Sequence, residues 1–436
     1  MSLIPQFGNV AFTLVAFIVA LSVIVAVHEY GHYIVGRWTG IRAEVFSIGF
    51  GPVLLSRRDR HGTRWQVAAL PLGGYVKFLG DGNAASLGGR PMAPEQRRHT
   101  MLGAPLWARA LTVAAGPVAN FILAVAVFGG VFMAQGRPVE PLTLAGFPNL
   151  PEGFVADLRA GDEVVAVGGR PVEAGLIPED VPLEARLPWT VRRDGAEAVV
   201  DGPYPVPPLV GAVTPDSAAW DVEMRAGDLV TAVDGRPVFA FDQVVEAVVA
   251  SEGRPVGLTV WRDGATLEFT VVPRRADLPT PGGGFETRWL LGLNGGPFFE
   301  PATATPGPLW ALGEAFAQLW FILVSSLSGL AHMISGAIST CNLSGPVGIA
   351  EASGAMASQG PVAFIWFLAV LSAAVGLMNL FPIPILDGGH LVFQAYEAVT
   401  GRPPGDRALR VLMAAGLAVI LGLTAFAVAN DLFLCP

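Results

Sequence analysis

The sequence predicts a polytopic α-helical membrane protein with four transmembrane helices and two small α+β modules outside the membrane. Three observations predict it. The 436 residues are 52% hydrophobic and only 14% charged, where a soluble chain averages about 25% charged, and mean hydropathy is +0.52. The apolar residues gather into runs that meet the length of about 20 residues a helix needs to cross a bilayer core. Between two of these runs lies a long acidic region that repeats itself. A net charge of −9 with 27 basic residues excludes a basic nucleic-acid face, so nucleic acid is not an expected partner.

The four runs extend from Val10 to Val35, Trp107 to Ala134, Pro361 to Phe381 and Ala408 to Asn430. The first lacks a basic leader and a small-residue cleavage site, so it reads as a retained span rather than a signal peptide. A fifth stretch, Leu309 to Ile338, is interrupted by Glu314, Gln318 and His332 and reads as a helix lying in the interface. From Gly36 to Leu106 there are ten Lys plus Arg against four Asp plus Glu, and from Gln135 to Gly307 thirteen against twenty-five. The basic loop is therefore expected in the cytoplasm and the acidic region outside. The resulting division is 1–36 (first span), 37–105 (cytoplasmic-side loop with the hairpin), 106–134 (second span), 135–205 and 206–280 (the two modules), 281–360 (linker and interfacial helix), 361–390 (third span and its loop) and 391–436 (fourth span and a short tail).

The repeat is explicit. Arg159-Ala160-Gly161-Asp162 recurs as Arg225-Ala226-Gly227-Asp228, Gly169-Arg170-Pro171-Val172 as Gly235-Arg236-Pro237-Val238, and Arg193-Asp194-Gly195 as Arg262-Asp263-Gly264. Each copy resembles a bacterial PDZ domain. Val210, Gly211, Ala212 and Val213 are the candidate groove strand of the second copy, able to pair with a peptide backbone, and the first copy lacks a clean equivalent; for both copies the alternative is a size filter or spacer.

Inside the first run, His28-Glu29-Tyr30-Gly31-His32 fits H-E-x-x-H. On a helix, imidazoles four residues apart project from one face and can share a zinc ion, while Glu29 can act as base toward a metal-bound water. Ionisable groups within an apolar span are costly to bury and point to function. A third ligand is needed. After the third run stands Asn379-Leu380-Phe381-Pro382-Ile383-Pro384-Ile385-Leu386-Asp387-Gly388-Gly389-His390. Its prolines break the helix and its glycines free the backbone beside Asp387, the candidate ligand; His390 is the decoy. Topology agrees: His28 and His32 lie near the inner end of an outside-to-inside helix, and Asp387 meets them only if the stretch 309–338 does not cross.

Together, these features resemble the site-2 protease family of intramembrane zinc proteases. The resemblance extends to Phe46-Ser47-Ile48-Gly49-Phe50-Gly51, Pro71-Leu72-Gly73-Gly74-Tyr75-Val76-Lys77, Gly116-Pro117-Val118-Ala119-Asn120-Phe121 and Ser344-Gly345-Pro346. It implies one zinc ion on His28, His32 and Asp387, Glu29 as catalytic base, and Asn379 binding substrate backbone. It also implies single-pass membrane substrates such as an anti-sigma factor, trimmed first by a site-1 protease, and remnant signal peptides. The implied setting is a bacterial inner membrane, with the active site toward the cytoplasm and the PDZ-like modules in the periplasm.

Hydrolysis within a helix requires local unwinding, and the freed backbone needs partners. Residues Val45 to Phe78 read as strand, turn, strand; on residues alone this is a cytoplasmic hairpin or one that dips into the bilayer, and the resemblance implies a membrane-associated β-hairpin whose edge can add the substrate as a further strand. Gly49, Phe50, Gly51, Gly73, Gly74 and Tyr75 are the candidate contacts. Small residues Ala114, Ala115, Gly116 and Ala119 read as helix packing, with Asn120 a candidate support for the site. Cys341 and Cys435 are too few for a framework; free thiols are the default reading, with a disulfide between them as the alternative, since both fall outside in this topology where oxidation is allowed. The alternative from another class is a catalytically silent PDZ-containing membrane scaffold or chaperone.

Overall fold

Long apolar sequences with few helix breakers fold as helices because every backbone polar group is then satisfied within the segment. In the computed structural model, which describes residues 7–81, 93–173, 175–178, 180–215, 217–280 and 284–434, the main helices are α1 (Phe7–Trp38), α2 (Leu106–Gln135), α3 (Phe241–Ala250), α4 (Pro308–Ile334), α5 (Pro346–Ser358), α6 (Pro361–Asn379), α7 (Asp387–Thr400) and α8 (Asp406–Ala429). Among the described residues five helices are long and apolar enough to cross a membrane: the four expected runs and α4. Contacts divide the chain into two units. One holds the N-terminal stretch through Val131, Pro308–Ala331 and the chain from Leu343 onward; the other holds Phe132–Gly307 and His332–Asn342.

In the first unit, β1 (Ala43–Arg58) and β2 (Arg64–Phe78) form a hairpin that folds back on itself. Val45 to Ile48 pairs with both ends of β2, and Val53 to Arg58 pairs with Arg64 to Ala68, so two long strands act as four short ones. The fold-back needs positive φ at Gly49 (89°) and Gly51 (83°), which glycine adopts without steric cost. One end of the sheet packs through Phe46, Val76 and Phe78 onto Tyr33 of α1 and Ala108 of α2. The other presents Phe50, Val53, Leu54, Leu55 and Leu70, all exposed.

Helix α5 lies against α1, where Gly354 abuts Thr13. Its N-terminus is held by Asp431, just past α8, whose carboxylate accepts from the amides of Gly345, Val347 and Gly348 at 2.8, 3.1 and 3.1 Å. A carboxylate satisfies the orphan donors of a helix start and complements its dipole. This contact explains Ser344-Gly345-Pro346, since a side chain at Gly345 would meet Asp431 and the Ala427 carbonyl.

The second unit contains two sheets of the same order. One is β4 (Arg170–Pro171), β3 (Glu163–Val167), β5 (Arg186–Arg193) and β6 (Ala196–Pro203). The other is formed by β9 (Arg236–Pro237), β8 (Leu229–Val233), β10 (Val256–Arg262) and β11 (Ala265–Val271). The repeated residues carry equivalent bonds. Arg193 grips the buried Asp162 at 2.7 and 2.8 Å, and Arg262 grips the buried Asp228 at 2.6 and 2.7 Å. Bidentate pairing of this kind fixes orientation as well as charge.

Three expectations are corrected here. The first copy does have the strand: Leu144–Gly146 exchanges hydrogen bonds with Gly161 and Asp162 as Val210 does with Gly227 and Asp228. Its weak β propensity hid it. The region 281–360 is not simply linker, because the chain returns after the second module to complete the first. Phe298 and Phe299 join Leu144, Leu187, Trp189 and Val191 in the core of the first module, and Glu300–Pro301 pairs with Leu144–Gly146. In the second module, β7 (Val210–Val213) precedes the sheet, while the hairpin of β12 (Arg274–Pro279) and β13 (Phe285–Leu290) and the short β14 (Leu293–Gly295) follow it. Leu291 enters the core with Val210, Val244, Leu258 and Val260. Cys341 is disulfide-bonded, not a free thiol; Cys435 lies outside the described residues.

Candidate metal centre

His28 and His32 stand one helical turn apart on α1, their rings edge to face with centroids 4.7 Å apart and their Nε2 atoms 3.1 Å apart. Asp387 Oδ2 lies 3.1 Å from His28 Nε2 and 3.4 Å from His32 Nε2. Among the described residues these three form the one His, Cys, Asp and Glu group whose ligand atoms lie within 4.8 Å of one another. Asp387 Oδ2 is buried and makes no hydrogen bond of good geometry despite both imidazoles beside it. Two nitrogens and an unsatisfied carboxylate oxygen fit a zinc site with three protein ligands and one open position.

Local sequence places each ligand. Helix α6 stops at Asn379, the segment with Pro382 and Pro384 turns the chain, and Asp387 opens α7, where the helix dipole favours a carboxylate. The glycines after it serve space more than backbone freedom. A Cβ on Gly388 would overlap the Leu380 and Phe381 carbonyls, and one on Gly389 the Ile383 carbonyl.

Helix α2 supplies the back wall. Thr112 offers its carbonyl to His32 Nδ1 at 2.8 Å, and Asn120 Nδ2 lies 3.3 Å from His28 Nδ1. Between them, a Cβ on Gly116 would overlap Nε2 of both histidines. Packing alone does not account for Gly116: it keeps the ligand atoms clear. Gly31 serves helix approach, since a Cβ there would overlap the Ala115 carbonyl. Thr112, Gly116 and Asn120 recur every fourth residue, so one face of α2 borders the histidines.

Glu29 projects beside the pair, facing the end of β2. The Val76 amide lies beside its carboxylate, and a Cβ on Gly74 would come 3.2 Å from its Cγ. Gly74 pairs with Ile48, and Tyr75 with Ser47. Phe50 stacks on Tyr75 with centroids 6.0 Å apart, and Gly73 leaves room for the Phe50 ring. Gly49 and Gly51 lie at the fold-back of β1. Of the six hairpin candidates, Gly74 is therefore the one placed against Glu29. Asn379 ends α6 with its Nδ2 donating to the Val375 carbonyl at 3.0 Å, which leaves its oxygen for other partners. His390 packs edge-on against Phe393 and stands outside the ligand group. His61 contacts Arg37, His99 bonds the Gly40 carbonyl and His332 packs on Phe285.

The candidate groove strand is occupied on both edges. β7 pairs with β14 on one side, and on the other Val210 bonds Asp228 and Gly227. The open space of this module lies instead between α3, through Val244, Val245 and Val248, and residues Trp289 to Asn294: a cavity of 980 Å³.

A histidine pair and an aspartate joined across membrane-type helices, with a glutamate beside them, define the class of intramembrane metallopeptidase. The chain belongs to peptidase family M50, whose model matches residues 16–423. It is 38% identical to a protein of Rhizobium meliloti named as a zinc metalloprotease, over 97% of each chain. It is 37% identical to one of Agrobacterium fabrum so named, over 96% of this chain and 95% of the relative. It is 34% identical to the regulator of sigma-E protease of Salmonella typhimurium, over 97% of this chain and 99% of the relative. The protein is a zinc metalloprotease of the site-2 type.

Proposed function

We propose that the protein hydrolyses peptide bonds within transmembrane segments of single-pass membrane proteins already trimmed outside the membrane, anti-sigma factors and remnant signal peptides being the substrate types. The convergence of His28, His32 and Asp387 carries this reading, because it sets the chemistry at the ends of apolar helices instead of in an aqueous domain. One zinc ion on these three ligands supplies, when bound, a water acidified to a pKa of about 7. Glu29 takes a proton from the attacking water at its carboxylate and gives it to the departing amide nitrogen. The strand through Gly74 and Tyr75 pairs with the unwound substrate, and the Asn379 side chain holds the stretched backbone from the other side.

The setting is a bacterial inner membrane with the site toward the cytoplasm, the PDZ-like modules in the periplasm and an upstream site-1 protease acting first. Four helices span. The residues before and after α4 belong to one unit, with Ser339 and Asn342 bonding Asp277, which supports α4 lying along the membrane. Peptide recognition by the second module uses the cavity beside α3.

The test is cleavage of a panel of trimmed single-span substrates by wild type, Glu29→Gln and Asp387→Asn in detergent or nanodiscs. Product from wild type alone supports the enzyme. Equal product from all three, or none from any alongside intact substrate-holding, favours the silent scaffold.

A further inference from the structure

The two histidines are held from behind by different chemistry. His32 Nδ1 faces a backbone carbonyl, Thr112 O, at 2.8 Å; a carbonyl only accepts, so it fixes one tautomer, with the proton on Nδ1 and Nε2 free. His28 Nδ1 faces the carboxamide of Asn120 at 3.3 Å. A carboxamide can donate or accept.

Asn120 is 0% exposed, and its Oδ1 is buried with no hydrogen-bond partner. An orphaned acceptor beside a metal-ligating imidazole calls for a reason. The backbone of Asn120 is pinned, since its carbonyl accepts from Ser372 Oγ at 3.0 Å and Ser372 is itself fully buried. The side chain can therefore rotate without moving the helix. With Nδ2 toward His28, the amide donates to a bare Nδ1, and the imidazole proton sits on Nε2. With the amide turned by half a rotation, the now unpartnered Oδ1 accepts from Nδ1–H and Nε2 is free to ligate.

We propose that Asn120 is a positioning residue whose amide reverses as His28 changes tautomer, holding the ring in one orientation with and without the metal. The proton lost from Nε2 is matched by one gained on Nδ1, so the exchange is neutral. This rests on the metal-centre reading of His28, His32 and Asp387, and extends it to an acceptor behind one ligand.

The experiment compares full-length wild type, Asn120→Asp and Asn120→Leu by zinc affinity in chelator competition and by the visible spectrum of the Co²⁺-loaded protein. Histidine ¹⁵N shifts with and without zinc report the tautomers. The carboxylate of Asn120→Asp accepts from Nδ1–H, so this variant is expected to match or exceed wild-type affinity with an unchanged Co²⁺ spectrum. Asn120→Leu is expected to lose roughly 10–100-fold, the usual effect of removing such a partner. In wild type one histidine is expected to change tautomer on zinc binding and the other to keep it. Equal affinity in wild type and Asn120→Leu overturns the proposal, as does equal weakening in both variants, which marks packing alone. If wild type itself binds no zinc, the metal-centre reading falls first; if wild type binds and the variants do not differ, only this inference does.

Discussion

His28 Nε2 lies 3.1 Å from Asp387 Oδ2, which ties the last turns of α1 to the first residue of α7. Local sequence sets each partner on its own helix, but their meeting is long-range. The contact depends on α6 running in the right direction and on the turn through Pro382 and Pro384 ending beside His28 and His32, within α1. Thr112, Gly116 and Asn120 close the third side from α2.

Gly116→Ala places a methyl group against Nε2 of both histidines, while alanine raises helix propensity by about 1 kcal/mol. The variant is expected to fold and to lose zinc affinity at least tenfold. Chelator competition alongside helical circular dichroism checks this. Retained affinity would mean the helices separate without strain.

Phe298→Ala removes a fully buried ring from the first module and is expected to cost about 3–5 kcal/mol. Because Phe298 follows the second module in sequence, the loss should appear as faster hydrogen exchange in β3 and β5 and leave β8 and β10 protected. Uniform loosening of both sheets would refute separate cores.

Asp431→Ala removes the acceptor for three amides at the start of α5. A lost cap costs about 0.5–2 kcal/mol. Exchange at residues 345–349 should accelerate, and Asp431→Asn should recover part of the protection. No change in either variant would show that the amides find other partners.

Burial alone would raise the Asp162 carboxyl, but the Arg193 hydrogen bonds and the Arg159 amide outweigh it and hold it below its usual 3.8. A depressed folded value stabilises the folded state above the unfolded value, and that contribution disappears as pH falls through the folded one. Protection of β3 should therefore decline below pH 3.8 in wild type. Asp162→Asn should start lower and show no comparable acid step. An identical acid profile in both would contradict the assignment.

The long apolar helices and the grouping of His28, His32 and Asp387 were legible in the apolar runs, the H-E-x-x-H spacing and the proline turn before Asp387. The repeat was legible too: Asp162 and Arg193 need each other wherever the module recurs, as do Asp228 and Arg262. What escaped was whatever depends on chain return. Phe298 looks like linker until its core is seen, and Leu144–Gly146 is too short to announce itself as a strand. The groove strand was misjudged because sequence pattern shows β propensity and not which edges are already paired. Gly116 was read as packing because the spacing to Thr112 and Asn120 has meaning only once α2 is known to face the histidines.

The most direct measurement is metal content and X-ray absorption of the purified full-length protein, wild type beside Asp387→Asn and His390→Ala. The account predicts one zinc per chain in wild type and His390→Ala, bound by two imidazoles and a carboxylate, and loss of tight binding in Asp387→Asn. Wild-type zinc affinity in Asp387→Asn, or its loss in His390→Ala with Asp387 intact, would contradict the centre described here.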